Sequence, residues 1–435
     1  MLVDKFKKSK RRAFLLYIGG ICAAGLTPSF YKVIRSSMKR DISKFQEEYA
    51  ALKDITLRRD AFKMQRLIIK DANFNDNLEN IVCENTTFLN CNFESEVTIR
   101  FKEVKNVWFD QCTFNATKIT GGAWQNVTIS NCSARGEFFI VAGEGSKEVN
   151  FENCDFIGPP AEAGSYEANS FGTAGSLGSA SFDKCKLKYA TIGGHSSLII
   201  QNSLLHTINA HSLRGNGLLH LNNVNMKHHI IFSSGIFSEV IIKNCHFGLM
   251  ECEKLQAKKL TMENCTGFFV GKFMDISSAA IRNCNFDAHS SHSASVAAFD
   301  CTGSHIDILV LDNLTFGGGS NFLNLGGYKN LIYNKKNSDS DQYQISKYKQ
   351  VSILNMLLKN AFLGHLHAEE LILRKSKIDN SYFGKSILKK VMFSDVNLTG
   401  NIDFESTLID EFTEEKLVRS PGLNIESDVK KLIRN

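Results

Sequence analysis

A short string recurs through most of this chain, and its spacing restricts the fold more than any other feature. The string is apolar-x-apolar-x-Asn-Cys-x-Phe, as in VNFENCDF at 149–156 and VIIKNCHF at 240–247. Its Cys position, or the residue that replaces Cys there, falls at 72, 91, 112, 132, 154, 185, 203, 224, 245, 265, 284 and 314. Nine of the eleven steps between these positions are 18 to 22 residues long. Repeats of this length indicate a solenoid, in which each repeat contacts its neighbours.

The residues of each string indicate a short β-strand whose alternate side chains point into a narrow core. Cys is small enough to stack on the same position of the next coil. The Asn before it can adopt a left-handed corner and hydrogen-bond the next Asn. Only 4 Pro but 32 Phe occur in 435 residues, which suits strands that keep their backbone donors. The sequence therefore predicts an all-β, right-handed parallel β-helix over 67–410, with coils of about twenty residues.

Toward the C-terminus the period shortens to five residues, in SKIDN-SYFGK-SILKK-VMFSD-VNLTG. The central residues of these fives are the predicted core repeat, formed by Ile378, Phe383, Leu388, Phe393 and Leu398. The segment resembles the pentapeptide-repeat family, clearly over 376–400 and partially over 72–134. That resemblance implies square coils made of four fives. Residues 135–330 depart from strict fives, so three-sided, pectin-lyase-like coils are an alternative there.

Interruptions of the spacing predict insertions and caps. The step of 31 residues contains the Gly- and Ser-rich segment 158–180, which is predicted as an insertion. A second insertion is predicted over 334–365, where a polar loop precedes an apolar segment, 348–362, that reads as a helix. We predict a capping helix over 41–66 and a C-terminal cap over 411–435, because an open solenoid end exposes apolar residues and strand edges.

The first 40 residues are basic and contain an uncharged, largely apolar segment at 13–31. Its nineteen residues approach the ~20 needed to span a bilayer, and the basic run before it places the N-terminus in the cytoplasm. We therefore predict a membrane-associated protein with a single-pass anchor. Two alternatives stay open: an export signal with its apolar region at 13–26 that is cleaved, and a buried helix of a soluble protein.

Basic character is confined to this N-terminal segment. The whole chain has a net charge of +6, whereas ten basic residues and one acid give the first 40 residues +9, which leaves −3 for residues 41–435. A slightly acidic body argues against a nucleic-acid-binding surface. It is also too weakly charged for the DNA mimicry known among pentapeptide-repeat proteins. The sequence therefore predicts no nucleic-acid partner.

Twelve Cys occur in the chain, and most of those in the repeat region occupy the inward position of the string. We predict a structural ladder of free thiols formed by Cys91, Cys112, Cys132, Cys154, Cys185, Cys245, Cys265 and Cys284. Because there is no CxxC pair, disulfides and a metal site are the less favoured alternatives. Free thiols suit a reducing compartment, which conflicts with export. No cofactor or metal is predicted.

Histidines and acids are the remaining candidates for chemistry. Histidines crowd the middle of the chain, at His195, His206, His211, His220, His228 and His229. A coil period near twenty would align His206 with His228 or with Met226, but no acid stands at metal-ligand spacing. Carbohydrate-active β-helices cluster carboxylates on one external face, and Asp287, Asp300 and Asp312 are the acids to test. These positions are isolated, so no catalytic residue is predicted.

Two functions follow as hypotheses. The first is a non-enzymatic, membrane-tethered scaffold that binds a protein partner through one solenoid face. The family resemblance adds secreted bacterial effectors to this class. The second is a carbohydrate-active β-helix enzyme, a polysaccharide lyase or hydrolase. Because function is carried by sites rather than by folds, the chemistry exposed on each face has to decide between them.

Overall fold

The structure is a computed structural model that describes residues 62–94, 97–156, 171–175, 177–211, 217–287, 297–317, 323–329 and 343–419. These residues form an all-β parallel solenoid of about 15 turns and contain no helix. The predicted parallel β-solenoid is thereby confirmed. The membrane segment predicted at 13–31 lies outside the described residues, and among those described no helix is long and apolar enough to cross a membrane.

The strands are short and follow one another around each coil. Those up to residue 156 are β1 (Phe62–Gln65), β2 (Ile68–Lys70), β3 (Asn73–Phe74), β4 (Leu78–Leu89), β5 (Asn92–Phe93), β6 (Thr98–Asp110), β7 (Thr113–Phe114), β8 (Thr117–Gly121), β9 (Trp124–Ser130), β10 (Ser133–Ala134), β11 (Phe138–Ala142), β12 (Glu148–Glu152) and β13 (Asp155–Phe156). Those between 171 and 317 are β14 (Phe171–Gly175), β15 (Leu177–Asp183), β16 (Lys186–Gly193), β17 (His195–Gln201), β18 (Leu204–His211), β19 (Leu218–Asn222), β20 (Asn225–Ser233), β21 (Ile236–Lys243), β22 (His246–Glu251), β23 (Gln256–Glu263), β24 (Thr266–Val270), β25 (Asp275–Arg282), β26 (Asn285–Asp287), β27 (Phe299–Asp300), β28 (His305–Asp312) and β29 (Thr315–Gly317). The remainder are β30 (Leu323–Asn324), β31 (Tyr328–Lys329), β32 (Tyr343–Gln344), β33 (Ser346–Leu354), β34 (Leu357–Lys359), β35 (Leu366–Asp379), β36 (Ile387–Thr399) and β37 (Leu408–Arg419).

Strands of successive coils lie side by side in parallel, with equivalent repeat positions in register. In β21, for example, Val240 lies between Leu219 of β19 and Leu260 of β23, and all three are buried. Neighbouring strands lie about 4.8 Å apart, so each repeat position forms a column along the solenoid axis. Antiparallel pairing occurs, among the described strands, between β31 and β32.

Each coil turns at residues in the left-handed conformation. Lys375, Asn380 and Lys385, five residues apart, have φ angles of 47°, 46° and 57°. The four sides of this coil are named face A (371–375), face B (376–380), face C (381–385) and face D (386–390), and equivalent residues of other coils take the same names.

The corner between faces A and B is formed by the residue that precedes each Cys of the string. Asn153 and Asn244 both have a φ of 52°, a region that Asn tolerates better than most residues. The Nδ2 of Asn223 donates to Asn202 Oδ1 at 2.9 Å, and the Nδ2 of Asn153 donates to Asn131 Oδ1 at 2.8 Å. The left-handed corner and the amide ladder agree with the sequence prediction, because an amide donates to one coil and accepts from the other.

The core consists of several columns of inward side chains that run side by side along the solenoid. Phe88 stacks on Phe109 with ring centroids 4.7 Å apart, and Phe93 stacks on Phe114 at 5.1 Å. Aromatic pairs of this kind add about 0.5–1.5 kcal/mol beyond the burial of their area. Since each coil covers only the coil beside it, the stability of the solenoid depends on these columns being continuous.

The prediction of a helix at 348–362 is wrong. Ser346–Leu354 and Leu357–Lys359 are strands β33 and β34, which pair in register with β35. Val351, Ile353 and Leu358 are inward and fully buried. A short apolar run is compatible with both a helix and a buried parallel strand. Backbone pairing of this segment with the adjacent coil stabilises the strand conformation. The predicted insertion at 334–365 therefore includes residues of a regular coil.

The other predicted boundaries also shift where the structure describes them. Within the capping helix predicted at 41–66, residues 62–65 are strand β1, and within the insertion predicted at 158–180, residues 171–175 and 177–180 are strand. Residues 41–61 and 158–170 of these predictions lie outside the described residues. Residues 411–419 of the predicted C-terminal cap belong to β37, the last strand that the structure describes, and residues 420–435 lie outside the described residues. Strand pairing extends the repeat because each coil supplies an edge for the next.

Candidate ligand-binding face

The predicted thiol ladder lies inside the corner between faces A and B. Its eight members are buried, and the eleven Cys of the described residues are all unpaired. Cys154 is representative, because its Sγ donates to Ile129 O at 3.3 Å and to Glu152 O at 3.4 Å. Burial raises the pKa of the Cys132 thiol. The thiols are thus hydrogen-bond donors inside the wall, without the accessibility that a nucleophile needs.

The predicted core repeat is also interior. Ile378, Phe383, Leu388, Phe393 and Leu398 are each fully buried, on faces B, C, D, A and B in that order. They hold the coils together and offer nothing to a ligand. Among the residues that the structure describes, no group of three or more His, Cys, Asp and Glu could hold a metal ion.

The predicted histidines are divided among several environments. The rings of His206 and His228 lie 5.6 Å apart, in the alignment that the coil period allowed. His229 Nε2 lies 3.1 Å from Glu251 Oε2. His195 is buried, contacts Thr173 Oγ1 through Nε2 at 2.8 Å, and has a pKa lowered to about 4 by that burial. They therefore form no shared site.

The three candidate acids lie on three different faces. Asp312 is on face A, where its Oδ1 accepts from Asn355 Nδ2 at 2.7 Å. Asp287 is on face B in register with Gly317, and Asp300 is on face C in register with Asn324. A glycosidase needs two carboxylates on one face, about 5–10 Å apart. The predicted acids therefore do not assemble into a catalytic pair.

Face C carries an outward column whose composition changes along the solenoid. The column is Thr98, Lys118, Phe139, Gly172, Thr191, Asn209, Ile231, Glu251, Val270, Asp300, Asn324, Phe362, Tyr382 and Asp403. Near its C-terminal end two aromatic residues follow one another, with an amide on one side and a carboxylate on the other. We call Asn324, Phe362, Tyr382 and Asp403 the aromatic platform.

The two rings of the platform lie against the backbone of the coil wall. Their centroids are 5.2 Å apart and their planes differ by 17°. A Cβ added at Gly364 would meet Tyr382 Cε1 at 2.3 Å, and one at Gly384 would meet Tyr382 Cζ at 2.4 Å. A Cβ at Gly326 would meet Phe362 Cε1 at 2.5 Å. Three glycines in one column therefore make the space in which the rings lie, half-buried, on the surface.

The polar ends of the platform are held by hydrogen bonds within their own coils and, for Asn324, to the preceding coil. Asn324 Oδ1 accepts from the backbone N–H of Gly326 at 3.1 Å, and its Nδ2 donates to Thr302 Oγ1 at 2.9 Å. Asp403 Oδ1 accepts from the backbone N–H of Glu405 at 2.7 Å. These bonds fix the side chains against the wall before any ligand arrives, which lowers the entropy cost of binding.

Asp300, one coil before the platform, is covered rather than exposed. Only 5% of its surface is accessible, and its Oδ1 accepts from the backbone N–H of Thr302 at 2.9 Å. Burial raises the pKa of this carboxyl, against the opposing effect of the Thr302 hydrogen bonds. At the border of faces C and D, burial and the nearby Lys385 lower the pKa of His365.

Sequence reasoning missed this platform, although a signal for it exists. AFLGH at 361–365 and SYFGK at 381–385 share an aromatic residue followed two positions later by Gly, and LNLGG at 323–327 places Asn at the aromatic position. Phe362 fell within the predicted helix, which hid the match. The register between coils is what brings the three segments side by side.

A scan against protein-family models, a search of the curated proteins and a search of the solved structures each found no match for this chain. The pentapeptide-repeat resemblance therefore stays a prediction. The function has to be argued from the geometry of face C.

Proposed function

We propose that this protein is a non-enzymatic, membrane-tethered β-solenoid scaffold that binds a protein partner along face C. The observation that carries the proposal is the aromatic platform, where Phe362 and Tyr382 lie on a column of glycines between Asn324 and Asp403. Aromatic side chains supply large contact areas at low entropy cost, and they are enriched at protein interfaces. A rigid wall that presents them in advance suits recognition rather than chemistry.

The hand of the solenoid and the tether belong to the same proposal. A right-handed sense is expected because crossover connections between parallel strands are right-handed in about 98% of cases. The basic run and the uncharged segment at 13–31 support an anchor that holds the scaffold at a membrane surface. Such an arrangement concentrates the platform where a membrane-bound partner can reach it.

Photo-crosslinking from the platform tests the proposal. A photoreactive phenylalanine derivative replaces Tyr382 in the full-length protein, and the same derivative replaces Phe139 as the matched control. Phe139 also lies on face C, where its Cε1 would be 2.1 Å from a Cβ added at Gly172. We expect a discrete protein adduct from position 382 and none from position 139. Equal adducts from both positions, or none from either, would contradict binding at the platform.

A second candidate function is carbohydrate recognition with depolymerisation, since aromatic side chains also suit contact with a sugar ring. Asp300 and Asp403 are the carboxylates of the same column at this end, and four coil steps separate them. At about 4.8 Å a step this is about 19 Å, beyond the 10 Å or so that a water-mediated pair of carboxylates spans. Incubation of the full-length protein with polysaccharides should therefore release no reducing ends, and release would reverse the order of the two candidates.

A further inference from the structure

Strand β37 has one edge that the described strands leave unpaired. It pairs along its other edge with β36, from Leu408 to Arg419. Phe412 of β37 is only partly buried, whereas Val391, its in-register neighbour in β36, is fully buried. Such an edge offers backbone N–H and C=O groups together with apolar area, and it therefore attracts a further strand.

We propose that residues 428–434 of the same chain, DVKKLIR, occupy this edge as a parallel strand one coil beyond β37. These residues lie outside the described part of the chain. The proposal goes beyond the proposed function, because it concerns the end of the solenoid rather than face C. An occupied edge is closed to the strands of other proteins, which is one way in which natural sheets avoid edge-to-edge association.

The spacing of the coils leads to this segment. Leu388 and Ile409 are in register and 21 residues apart, and a further step of 20 residues reaches Val429. The path around the coil gives the same answer. Ten residues lead from Ile378 on face B to Leu388 on face D, and ten lead from Arg419, the equivalent of Ile378 in β37, to Val429.

Charge gives independent support, because two outward columns alternate in sign from coil to coil and end on acids in β37. The columns are Glu369, Lys389 and Asp410, and beside it Glu370, Lys390 and Glu411. In both columns the Lys Nζ lies 3.4 Å from the Glu Oε1 of the preceding coil. A strand that continues this alternation needs two consecutive basic residues.

The segment 428–434 supplies those residues in the register that the spacing gives. Lys430 falls opposite Asp410, and Lys431 falls opposite Glu411. Neither acid forms an ion pair with a residue that the structure describes. Oppositely charged side chains on neighbouring strands stabilise their pairing.

The inward positions match as well. Leu432 falls opposite Phe412 and would cover the part of this ring that β36 leaves exposed. Glu414 stands in register with Phe393, so the apolar column of face A ends in β37. Arg434 falls opposite Glu414. One register therefore pairs apolar with apolar and basic with acidic residues.

Engineered cysteines test this register in the full-length protein in detergent micelles. Thr413→Cys and Ile433→Cys would have Cα atoms about 4.8 Å apart, within the range that a disulfide spans. Thr413→Cys with Lys431→Cys is the matched control, because a shift of two residues separates the Cα atoms by about 8 Å. The eleven described native Cys are buried. With oxidised glutathione, the first pair should form at least about tenfold more intrachain disulfide than the control, measured by non-reducing peptide mapping.

Equal cross-linking of the two pairs, or none of either, would overturn the proposal. Cross-links between chains would assign the edge of β37 to a second copy and would overturn it as well.

Hydrogen exchange tests the charge pairing without new thiols. Lys430→Glu with Lys431→Glu replaces attraction by repulsion at Asp410 and Glu411, so the amides of β37 should exchange about tenfold faster. Lys227→Glu with Lys258→Glu reverses two exposed lysines of distant coils and should leave β37 unchanged. Exchange of β37 that is the same in both double variants would refute the pairing of residues 428–434 with this edge.

Discussion

The hydroxyl of Ser203 stands one coil beyond the thiol of Cys185 in the same inward column, and it accepts a hydrogen bond from the Cys185 backbone N–H at 3.0 Å. The same hydroxyl donates to Gln201 O at 2.6 Å. Cys132 makes both contacts through sulfur, since its Sγ accepts from the Cys112 backbone N–H at 3.3 Å and donates to Ser130 O. The column thus requires a small side chain that both donates and accepts, and Ser and Cys meet the requirement alike.

Interchange of thiol and hydroxyl should therefore be tolerated. Cys132→Ser should change the free energy of unfolding by less than about 1 kcal/mol, since both hydrogen bonds are kept. Cys132→Leu should cost about 1–3 kcal/mol, because the larger side chain collides with the adjacent coils. Urea unfolding followed by circular dichroism at the β-sheet minimum measures both. A Leu variant as stable as the Ser variant would show that the column does not restrict size.

The thiols should be hidden by the fold rather than bonded. All the described Cys are buried and therefore inaccessible to a reagent, and burial also raises the pKa values of the Cys83 and Cys252 thiols to about 12. We expect slow alkylation of the native protein, and rapid alkylation of nearly all Cys in denaturant without reductant, counted by mass spectrometry. Thiols that react in denaturant only after reduction would indicate disulfides and an oxidising compartment.

A charge in the core should unfold the C-terminal coils. Phe393 is fully buried, so Phe393→Asp places an unpaired acid among apolar side chains, at a cost of about 2–7 kcal/mol if the carboxyl is protonated and more if it is ionised. Met392→Asp is the control, because the neighbouring residue of the same strand points outward and is only half-buried. The melting temperature should drop for Phe393→Asp and change far less for Met392→Asp. Equal melting temperatures would refute the inward placement.

Acid should destabilise the solenoid through His195. Its pKa falls from 6.5 to about 4 on burial, so the unfolded chain binds more protons than the folded chain between these values. The free energy of unfolding should therefore fall as the pH drops from 6.5 toward 4, by at most about 1.4 kcal/mol per pH unit from this residue. Above pH 6.5 the contribution of His195 to the free energy of unfolding does not change with pH. Denaturation midpoints of His195→Gln should depend less on pH than those of the unaltered protein.

The control for this pH effect is a histidine at the surface. His246→Gln changes an exposed imidazole and should leave the acid dependence as it is. If His195→Gln and His246→Gln reduce the pH dependence of the unfolding free energy equally, burial of His195 is not the cause of that dependence.

The N-terminal segment should hold the protein at a membrane. Full-length protein is expected in the membrane fraction, resistant to high salt and released by detergent, because salt weakens only electrostatic attachment. A chain that lacks residues 1–40 should be soluble, as judged by ultracentrifugation and immunoblotting. Soluble full-length protein with an intact N-terminus would exclude the anchor. A soluble protein that begins near Gly25 would instead indicate a cleaved signal.

The sequence by itself determined the repeating features of this protein. The position of each coil, the left-handed Asn at its corner and the inward Cys are all properties of one repeat, because a short string defines both the strand and the turn that follows it. Asn153 with Cys154 is such a pair, and the same pair recurs at Asn244 with Cys245. Repetition makes a local pattern readable even where single copies are imperfect.

Only the tertiary structure decided which side chains of different coils become neighbours on the surface of the solenoid. Segment 348–362 became strand because adjacent coils offered it backbone partners, which its own apolar spacing did not indicate. Asp287 and Asp300 fell on different faces, and Phe362 and Tyr382 came together over glycines, because these relations depend on register between coils. The inward side of a strand is fixed by the need to bury apolar area, whereas outward neighbours are selected by no comparable force. A platform on the surface therefore becomes visible only when the coils are stacked.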